Sequence, residues 1–245
     1  VPGITDPVLV RELLALYGRR GDDTALPRVT PYRDYLAFLA AQDRAGAVEA
    51  WRDALAGLEE PTHVVPPDRA RVPGPPEQIT LALSEHVTAA LNRQARQQSL
   101  TLNTVLQAAW AILLGRMTGR ADVVFAVTVA GRALEITGIE NMVGLFINTL
   151  PLRAKLAPGK RLIDLLKELQ DNQSRLMAHQ YLGLAEIQEC AGLGELFDTL
   201  VVFENYPVDR ASPAAETMGL RLAGVSGRDA THYPLALGIL PGERV

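Results

Sequence analysis

Cysteine and lysine are scarce in this sequence, and so is any clustering of positive charge. Cys190 is the one cysteine among 245 residues, so no internal disulfide can form, and no Cys/His spacing matches a four-ligand zinc site. Lys and Arg number 24 against 28 Asp and Glu, and they are scattered without the basic stripe that duplex phosphates require. We therefore expect no disulfide framework, no metal site and no nucleic-acid partner.

Long apolar runs are missing as well. No stretch approaches the roughly 20 consecutive apolar residues that span a bilayer, and the start Val1-Pro2-Gly3 lacks the basic and apolar regions of a signal peptide. These features predict a cytoplasmic protein with no membrane partner. Apolar residues still make up 48% of the chain, which is enough for a substantial core, and the preference for Arg over Lys favours a bacterial source.

Helix start and stop signals predict amphipathic helices in residues 1–57. Asp6-Pro7 and Thr30-Pro31 are each typical of an N-cap followed by the first helical residue, and Gly18 ends the first helix. The second helix is expected to break near Gly46 and to resume as far as Gly57. Residues 58–76 contain six prolines, which exclude regular helix and central strand, so we expect an extended linker there.

Strands and helices alternate after the linker, in residues 77–245. Periodicity and capping residues predict strands at 78–83, 123–127, 146–152, 198–204, 220–225 and 234–239, and helices at 84–98, 101–117 and 162–177. The helix at 101–117 is apolar almost all round, which predicts burial on several sides. This order is typical of a two-layer α/β sandwich.

Several segments resemble core motifs of nonribosomal peptide synthetase condensation domains. Tyr32-Arg33-Asp34-Tyr35 resembles the family's Tyr-x-Asp-Phe/Tyr motif, and residues 143–153 fit Val-Gly-x-Phe-Val-Asn-Thr-x-x-x-Arg at every defined position, allowing Ile for Val. Residues 179–186 resemble His/Asn-Gln-Asp-Tyr-Pro-Phe-Glu with an altered middle, and residues 197–207 resemble the strand and turn that follow. Gly131-Arg132 resembles the start of the family's floor loop.

The resemblance implies a fold, an activity and partners. The fold is a chloramphenicol-acetyltransferase-like lobe at residues 77–245, truncated at its end, joined by the interlobe linker 58–76 to helices from the C-terminal part of an incomplete N-terminal lobe at 1–57. The parent domain forms a peptide bond between a donor acyl or peptidyl thioester and an acceptor aminoacyl thioester, in secondary-metabolite or antibiotic biosynthesis. Both substrates are presented on phosphopantetheine arms of carrier proteins, and no cofactor binds directly. The implied partners are carrier proteins, an adjoining adenylation domain and the missing N-terminal lobe.

The family's catalytic motif, His-His-x-x-x-Asp-Gly, has no counterpart in the sequence. Alignment of the first helix puts Gly3 at its last residue and Pro2 in place of its Asp, so both histidines would precede residue 1. We therefore expect a fragment cut at both ends, with no catalytic residue of its own and no activity in isolation. The alternatives are a noncatalytic module that docks carrier proteins, and an epimerisation or acyltransferase domain of the same fold.

The resemblance also suggests four residues that line the substrate tunnel. Asn148, on a predicted strand facing the interlobe cleft, could orient a pantetheine amide or thioester carbonyl, or make an internal polar contact. Arg153 could bind the Asp of the missing motif, or lie solvated at a strand end. Arg132 could line the floor loop or lie on the surface. Asn205 could contact the acceptor or set a turn.

The remaining reactive side chains are expected to be structural. None of the four histidines has the sequence context of the family's base, and His179, at a helix end, is the one whose surroundings resemble a family motif. Tyr32 and Tyr35 lie at helical spacing and are expected to be mainly packing residues. Cys190 is expected to follow a helix as an inert thiol, since no base is identifiable.

Overall fold

The computed structural model describes residues 5–24, 26–66, 74, 76–131, 136–204 and 231–245. The chain divides into two compact units. The first unit comprises residues Val1–Gln42, Ala130–Ile147 and Tyr206–Asp229, and the second comprises Asp43–Val129, Asn148–Asn205 and Ala230–Val245. The predicted division into 1–57, 58–76 and 77–245 follows different boundaries and stays a prediction about lobes.

Two helices and one short turn form the described part of the first unit. Helix α1 spans Thr5–Gly18 and α2 spans Tyr32–Ala40, and a single 3-10 turn lies at Ile139–Asn141. Both helices begin within two residues of the predicted starts, α1 at Thr5 before Pro7 and α2 at Tyr32 with Pro31 as its N-cap. A small apolar cluster holds this unit together, with Tyr35, Ile139, Met142 and Phe146 as its buried members.

The second unit carries the larger core and most of the sheet. Its helices are α3 (Arg44–Leu55), α4 (Glu85–Gln97), α5 (Leu102–Thr118), α6 (Leu162–Leu176) and α7 (Leu184–Ala191), with a 3-10 turn at Met177–His179. The strands are β1 (Asp122–Ala130), β2 (Ile147–Lys155), β3 (Thr199–Phe203) and β4 (Leu235–Ile239). Residues Ala130 and Ile147, at one end of β1 and β2, belong to the first unit.

Local capping chemistry explains where three of these helices begin. The Asp43 carboxylate accepts from the Gly46 N–H at the start of α3 (3.0 Å). Ser84 Oγ accepts from the Val87 N–H (3.3 Å) and Thr101 Oγ1 from the Thr104 N–H (3.0 Å), which starts α4 and α5. Each cap satisfies a backbone donor that the first turn of a helix leaves unpaired.

The four strands form one sheet in the order β2-β1-β3-β4. Strands β1 and β3 run parallel, with Ala126 opposite Leu200, and β3 and β4 also run parallel. Hydrogen bonds at the two ends of β2, from Gly131 N–H to Phe146 O (2.7 Å) and from Leu156 N–H to Ala121 O (2.6 Å), make it antiparallel to β1. Residues 123–126 of β1 are fully buried, as expected for a strand covered on both faces.

The apolar core of the second unit lies between this sheet and the helices. Its fully buried large side chains include Trp51 of α3, Leu114 of α5 and Leu169 of α6. The predicted elements at 84–98, 101–117, 123–127, 146–152, 162–177, 198–204 and 234–239 are confirmed with small shifts of their ends. Among the described residues, no helix combines the length and the apolar character needed to cross a membrane.

Four predictions about elements were wrong or incomplete. Residues 78–83 do not form a strand: Ile79 and Leu81 are each 86% exposed. A strand needs a hydrogen-bonded neighbour, and here only the Leu83 N–H, among the described backbone groups, meets another segment, at Val245 O (2.5 Å).

The other differences concern the helices. The break before α3 lies at residues 41–43 and not at Gly46, because Asp43 caps the new helix. Helix α7 was not predicted; at eight residues it is too short for a clear period, although Gly192 ends it in the left-handed conformation. The outer face of α5 is open, with Leu113 and Met117 about half exposed. The predicted strand 220–225 lies outside the described residues.

Thr62 connects the beginning of the proline-rich segment, residues 58–76, to the sheet by hydrogen bonds. Its side chain is fully buried, its N–H donates to Leu196 O (2.8 Å), and its hydroxyl accepts from the Val124 N–H of β1 (2.9 Å). A second fastening follows at once, because the buried Asp198 carboxylate accepts from the backbone of Val64 (2.9 Å). It also accepts from the next backbone N–H along the chain (3.0 Å).

Replacing Asp198 with Asn should lower the free energy of unfolding by about 2 to 3 kcal/mol. The amide keeps one acceptor oxygen but places an NH₂ group against backbone donors, so a charge-assisted bond is lost inside the protein. Urea denaturation followed by circular dichroism measures the change. Asp164→Asn is the matched control: its pair with Arg161 is exposed and screened by solvent, so this variant should be about as stable as the unaltered protein. Equal losses in both variants would contradict the assigned role of Asp198.

Candidate functional site

Two of the motif segments pack against each other in the first unit through an aromatic cluster, Tyr32, Tyr35 and Phe146. The ring of Phe146 lies edge-on to Tyr32 with centroids 5.4 Å apart, and 4.8 Å from Tyr35. The Tyr32 hydroxyl donates to Leu145 O (2.5 Å). The prediction that Tyr32 and Tyr35 act mainly in packing agrees with these contacts, and they attach α2 to the loop that precedes β2.

Close approach explains two glycines in these segments. A Cβ atom on Gly144 would overlap the ring of Tyr32, and one on Gly131 would lie 2.5 Å from Phe146 O and 2.9 Å from the Tyr35 hydroxyl. A side chain at either position would push the aromatic cluster apart. The two glycines are therefore required by packing around the rings.

Asn148 bonds to the turn formed by residues 179–182, which we call the 179–182 turn. Its Nδ2 donates to Gln180 O (2.8 Å) and to Leu182 O (2.9 Å), and its Oδ1 accepts from the Thr149 N–H (2.9 Å). The side chain is half-buried. Of the two interpretations offered by the sequence, these bonds correspond to the internal polar contact.

Two further side chains hold the same turn. The indole N–H of the buried Trp51 donates to His179 O (3.0 Å), and the Tyr181 hydroxyl donates to Asp43 O (2.7 Å). Burial raises the pKa of the Tyr181 phenol, and the negative charge of Asp43 raises it further. The phenol is therefore a hydrogen-bond donor at neutral pH.

His179 ends the 3-10 turn that follows α6, at the start of the 179–182 turn. Its Nδ1 atom is buried and has no hydrogen-bond partner among the residues that the structure describes. A buried imidazole nitrogen without a partner is uncommon in folded proteins. His179 thus combines a backbone carbonyl bonded to Trp51 with a side chain whose buried Nδ1 atom makes no hydrogen bond to the described residues.

Arg153 has only 8% of its side chain exposed, and all three of its guanidinium nitrogens donate hydrogen bonds. Its Nε and Nη2 donate to the two oxygens of Asp122 (2.9 and 2.7 Å), and its Nη1 donates to Ala54 O (3.3 Å) and Ala56 O (2.8 Å) at the end of α3. Of the two interpretations offered by the sequence, solvation at a strand end does not fit, because two separate segments, the start of β1 and the end of α3, supply acceptors. Carbonyls at a helix C-terminus carry partial negative charge, which favours a cation there.

The other predicted positions are spread over the chain. Arg132 and Asn205 lie outside the described residues. Cys190 lies within α7, not after a helix; it is half-buried and its thiol faces Val48 O (3.9 Å). His63 Nε2 lies 3.1 Å from a backbone carbonyl, that of Glu195.

Sequence reasoning missed Asp122 and the indole N–H of Trp51 as anchoring groups. Trp51 was interpreted only as part of an apolar helix face. No local signal marks either group, because their partners lie far away in the sequence: Asp122 pairs 31 residues away and Trp51 bonds 128 residues away. An aspartate just before a buried strand was the one available clue to a buried cation.

Comparison with known proteins gives one family. A family model described as "Condensation domain" matches residues 2–244. "Chondramide synthase cmdD" of Chondromyces crocatus is 39% identical over 250 residues, covering 99% of this chain and 6% of that protein. "Vanchrobactin synthetase VabF" of Vibrio anguillarum is 36% identical over 245 residues, covering 100% of this chain and 8% of that protein. The chain therefore spans a small part of the length of these relatives.

Solved structures agree with the family match. The first condensation domain of the calcium-dependent antibiotic synthetase, in complex with substrate analogue 2a, superposes with a TM-score of 0.66 at 25% identity. The alignment covers 85% of this chain and 50% of that one. The predicted chloramphenicol-acetyltransferase-like α/β fold class is thereby confirmed.

Replacing Gly144 with Ala should destabilise the packing of the aromatic cluster by about 1 to 3 kcal/mol, because the new methyl group overlaps the Tyr32 ring. Thermal unfolding and the near-ultraviolet circular dichroism of the tyrosines measure the effect. Gly238→Ala in β4 is the control, since a Cβ there meets nothing within 4 Å. A Gly144→Ala variant as stable as Gly238→Ala would show that the cluster is looser than described.

Replacing Arg153 with Met should lower the free energy of unfolding by about 3 to 5 kcal/mol, because Asp122 and two helix-end carbonyls lose their partner. Chemical denaturation measures it. Arg120→Met, which breaks the exposed pair with Glu60, should cost less than about 1 kcal/mol. Combining Arg153→Met with Asp122→Asn should recover part of the loss; a purely additive double variant would contradict direct coupling.

Proposed function

Because the chain belongs to the condensation-domain family, we propose that it is part of a domain that forms a peptide bond between two carrier-bound thioesters. The donor is an acyl or peptidyl thioester and the acceptor an aminoacyl thioester, each on the phosphopantetheine arm of a carrier protein. The relatives are synthetases of chondramide and vanchrobactin by name, and the chain covers 6% and 8% of them.

One observation supports this proposal most directly. Two segments that resemble separate family motifs, 143–153 and 179–186, are joined by the bonds from Asn148 to Gln180 O and Leu182 O. Motif residues far apart in sequence thus meet at one place in the second unit. A shared site is the simplest physical reason for such a meeting.

The chemistry makes modest demands on this part of the domain. A thioester is already activated, so holding the amine close to the carbonyl supplies much of the acceleration, and a histidine assists as hydrogen-bond acceptor or base. The 245 residues contain no His-His pair. We assign the base to the family's His-His-x-x-x-Asp-Gly segment in the parent, and to this chain the task of binding and orienting.

The tunnel wall is proposed to include Asn148, Arg153, Arg132 and Asn205. Asn148 and Arg153 contribute by fixing backbone segments, as their bonds indicate. Residues 77–245 would form the C-terminal lobe and residues 1–57 helices of the other lobe, with 58–76 between them. Carrier proteins, an adjoining adenylation domain and the N-terminal lobe are the proposed partners, in the cytoplasm.

The purified 245-residue chain should not form peptide bonds above the uncatalysed rate. Loss of a general base costs about 10²–10⁴-fold, and loss of two-substrate orientation adds to it. The measurement mixes the chain with loaded donor and acceptor carrier proteins and follows the dipeptidyl carrier by intact-protein mass spectrometry. The parent domain with its His-His motif runs beside it as the positive control.

Three results are distinguishable in that experiment. Product from the parent alone supports the proposal. Turnover by the chain comparable to the parent's would place the catalytic group within these residues, with His179 the first to be replaced. Carrier binding without turnover in either protein would instead favour a noncatalytic docking module.

A further inference from the structure

We propose that Asn148 is a positioning residue: it locks the 179–182 turn, and with it His179, instead of contacting the carrier-bound substrate. The link to substrate rests on the proposed function, whereas the lock itself rests on geometry alone. Every group involved lies in the second unit.

The Asn148 amide is already occupied. A primary amide offers two N–H donors and one carbonyl acceptor, and here both kinds are in use: two short bonds to turn carbonyls and one from the Thr149 N–H. An amide with two carbonyls at 2.8 and 2.9 Å has no donor left for a pantetheine group. Contact with the arm would require breaking one of these bonds.

The 179–182 turn depends on hydrogen bonds from these side chains because the backbone hydrogen bonds within the turn are long. The Gln180 N–H reaches Met177 O at 3.5 Å and the Leu182 N–H reaches His179 O at 3.4 Å, near the limit of a hydrogen bond. By contrast, the side chains of Asn148 and Trp51 reach turn carbonyls at 2.8 to 3.0 Å. Side chains from β2 and α3, not the turn's own backbone, therefore set its conformation.

His179 is the residue that this lock orients. Its carbonyl is held by Trp51 and the next carbonyl along the chain by Asn148, so the backbone that follows the His179 side chain is held at two successive carbonyls. Its buried Nδ1 atom has no hydrogen-bond partner in the described part of the chain. Loss of Asn148 should therefore be felt at His179 and Trp51, although neither is its hydrogen-bond partner.

Asn148→Asp provides a sharp test. The aspartate keeps an oxygen for the Thr149 N–H but turns the other oxygen toward two carbonyl oxygens, so the turn bonds are lost and the Thr149 bond is retained. Amide exchange measured by NMR should accelerate about tenfold or more at Gln180 and Leu182, and much less at Thr149. The indole N–H resonance of Trp51 should shift, and that of Trp110 should stay.

Asn92→Asp is the matched control. Asn92 is also partly buried and donates to one backbone carbonyl, Thr88 O (3.1 Å), but it lies in α4 away from the turn. It should leave the exchange at Gln180 and Leu182 and the Trp51 resonance unchanged. If Asn148→Asp does not fold, Asn148→Ser replaces it, since a hydroxyl retains one donor and adds no charge.

Unchanged exchange and an unchanged Trp51 resonance in a folded Asn148 variant would overturn the lock, as would equal changes in Asn92→Asp. A second arm places Asn148→Asp in the parent domain, where dipeptide formation should fall at least tenfold more than with Asn92→Asp. A perturbed turn with undiminished parent activity would overturn the positioning role. Failure of the unaltered parent to form product would count against the proposed function and leave the NMR result standing.

Discussion

The buried guanidinium of Arg153 is the interaction on which the second unit depends most. A guanidinium with so little exposure to solvent is stable only if protein atoms accept nearly all its hydrogen bonds. Here the acceptors are Asp122 at the start of β1 and two carbonyls at the end of α3. One side chain on β2 thereby fixes the neighbouring strand and a helix together. The position of α3 in turn determines where Trp51 meets the 179–182 turn.

Motif residues in this chain act largely by holding backbone. Gly144 leaves room for the Tyr32 ring, Tyr32 bonds to Leu145 O, and Asn148 holds two turn carbonyls. The proposed condensation site would work by orientation, and such a site needs walls of constant geometry, because small displacements of reacting groups lower the rate strongly. Motif residues such as Gly144, Tyr32 and Asn148 therefore indicate a need for a rigid backbone as well as for chemical groups.

Prediction from sequence succeeded where local physics decides and failed where a distant partner was needed. Ser84 caps α4 as expected, and the apolar run at 123–127 became the buried strand β1. The alternating segment 78–83 carried an equally clear strand pattern, yet it has no strand beside it among the described residues and remains irregular and exposed. Alternation of apolar and polar residues indicates that a segment could have one buried and one exposed face, but it does not indicate whether another strand lies beside it.

The sequence by itself determined the family, the α/β class and most element positions, because capping, periodicity and motif spacing act over a few residues. Only the tertiary structure decided what the polar motif side chains do. Asn148 meets carbonyls 32 and 34 residues away, and Arg153 meets α3 at 97 and 99 residues away. Hydrogen bonds over such separations exist only after the chain has folded, since the core packing that brings the partners together is a property of the whole unit.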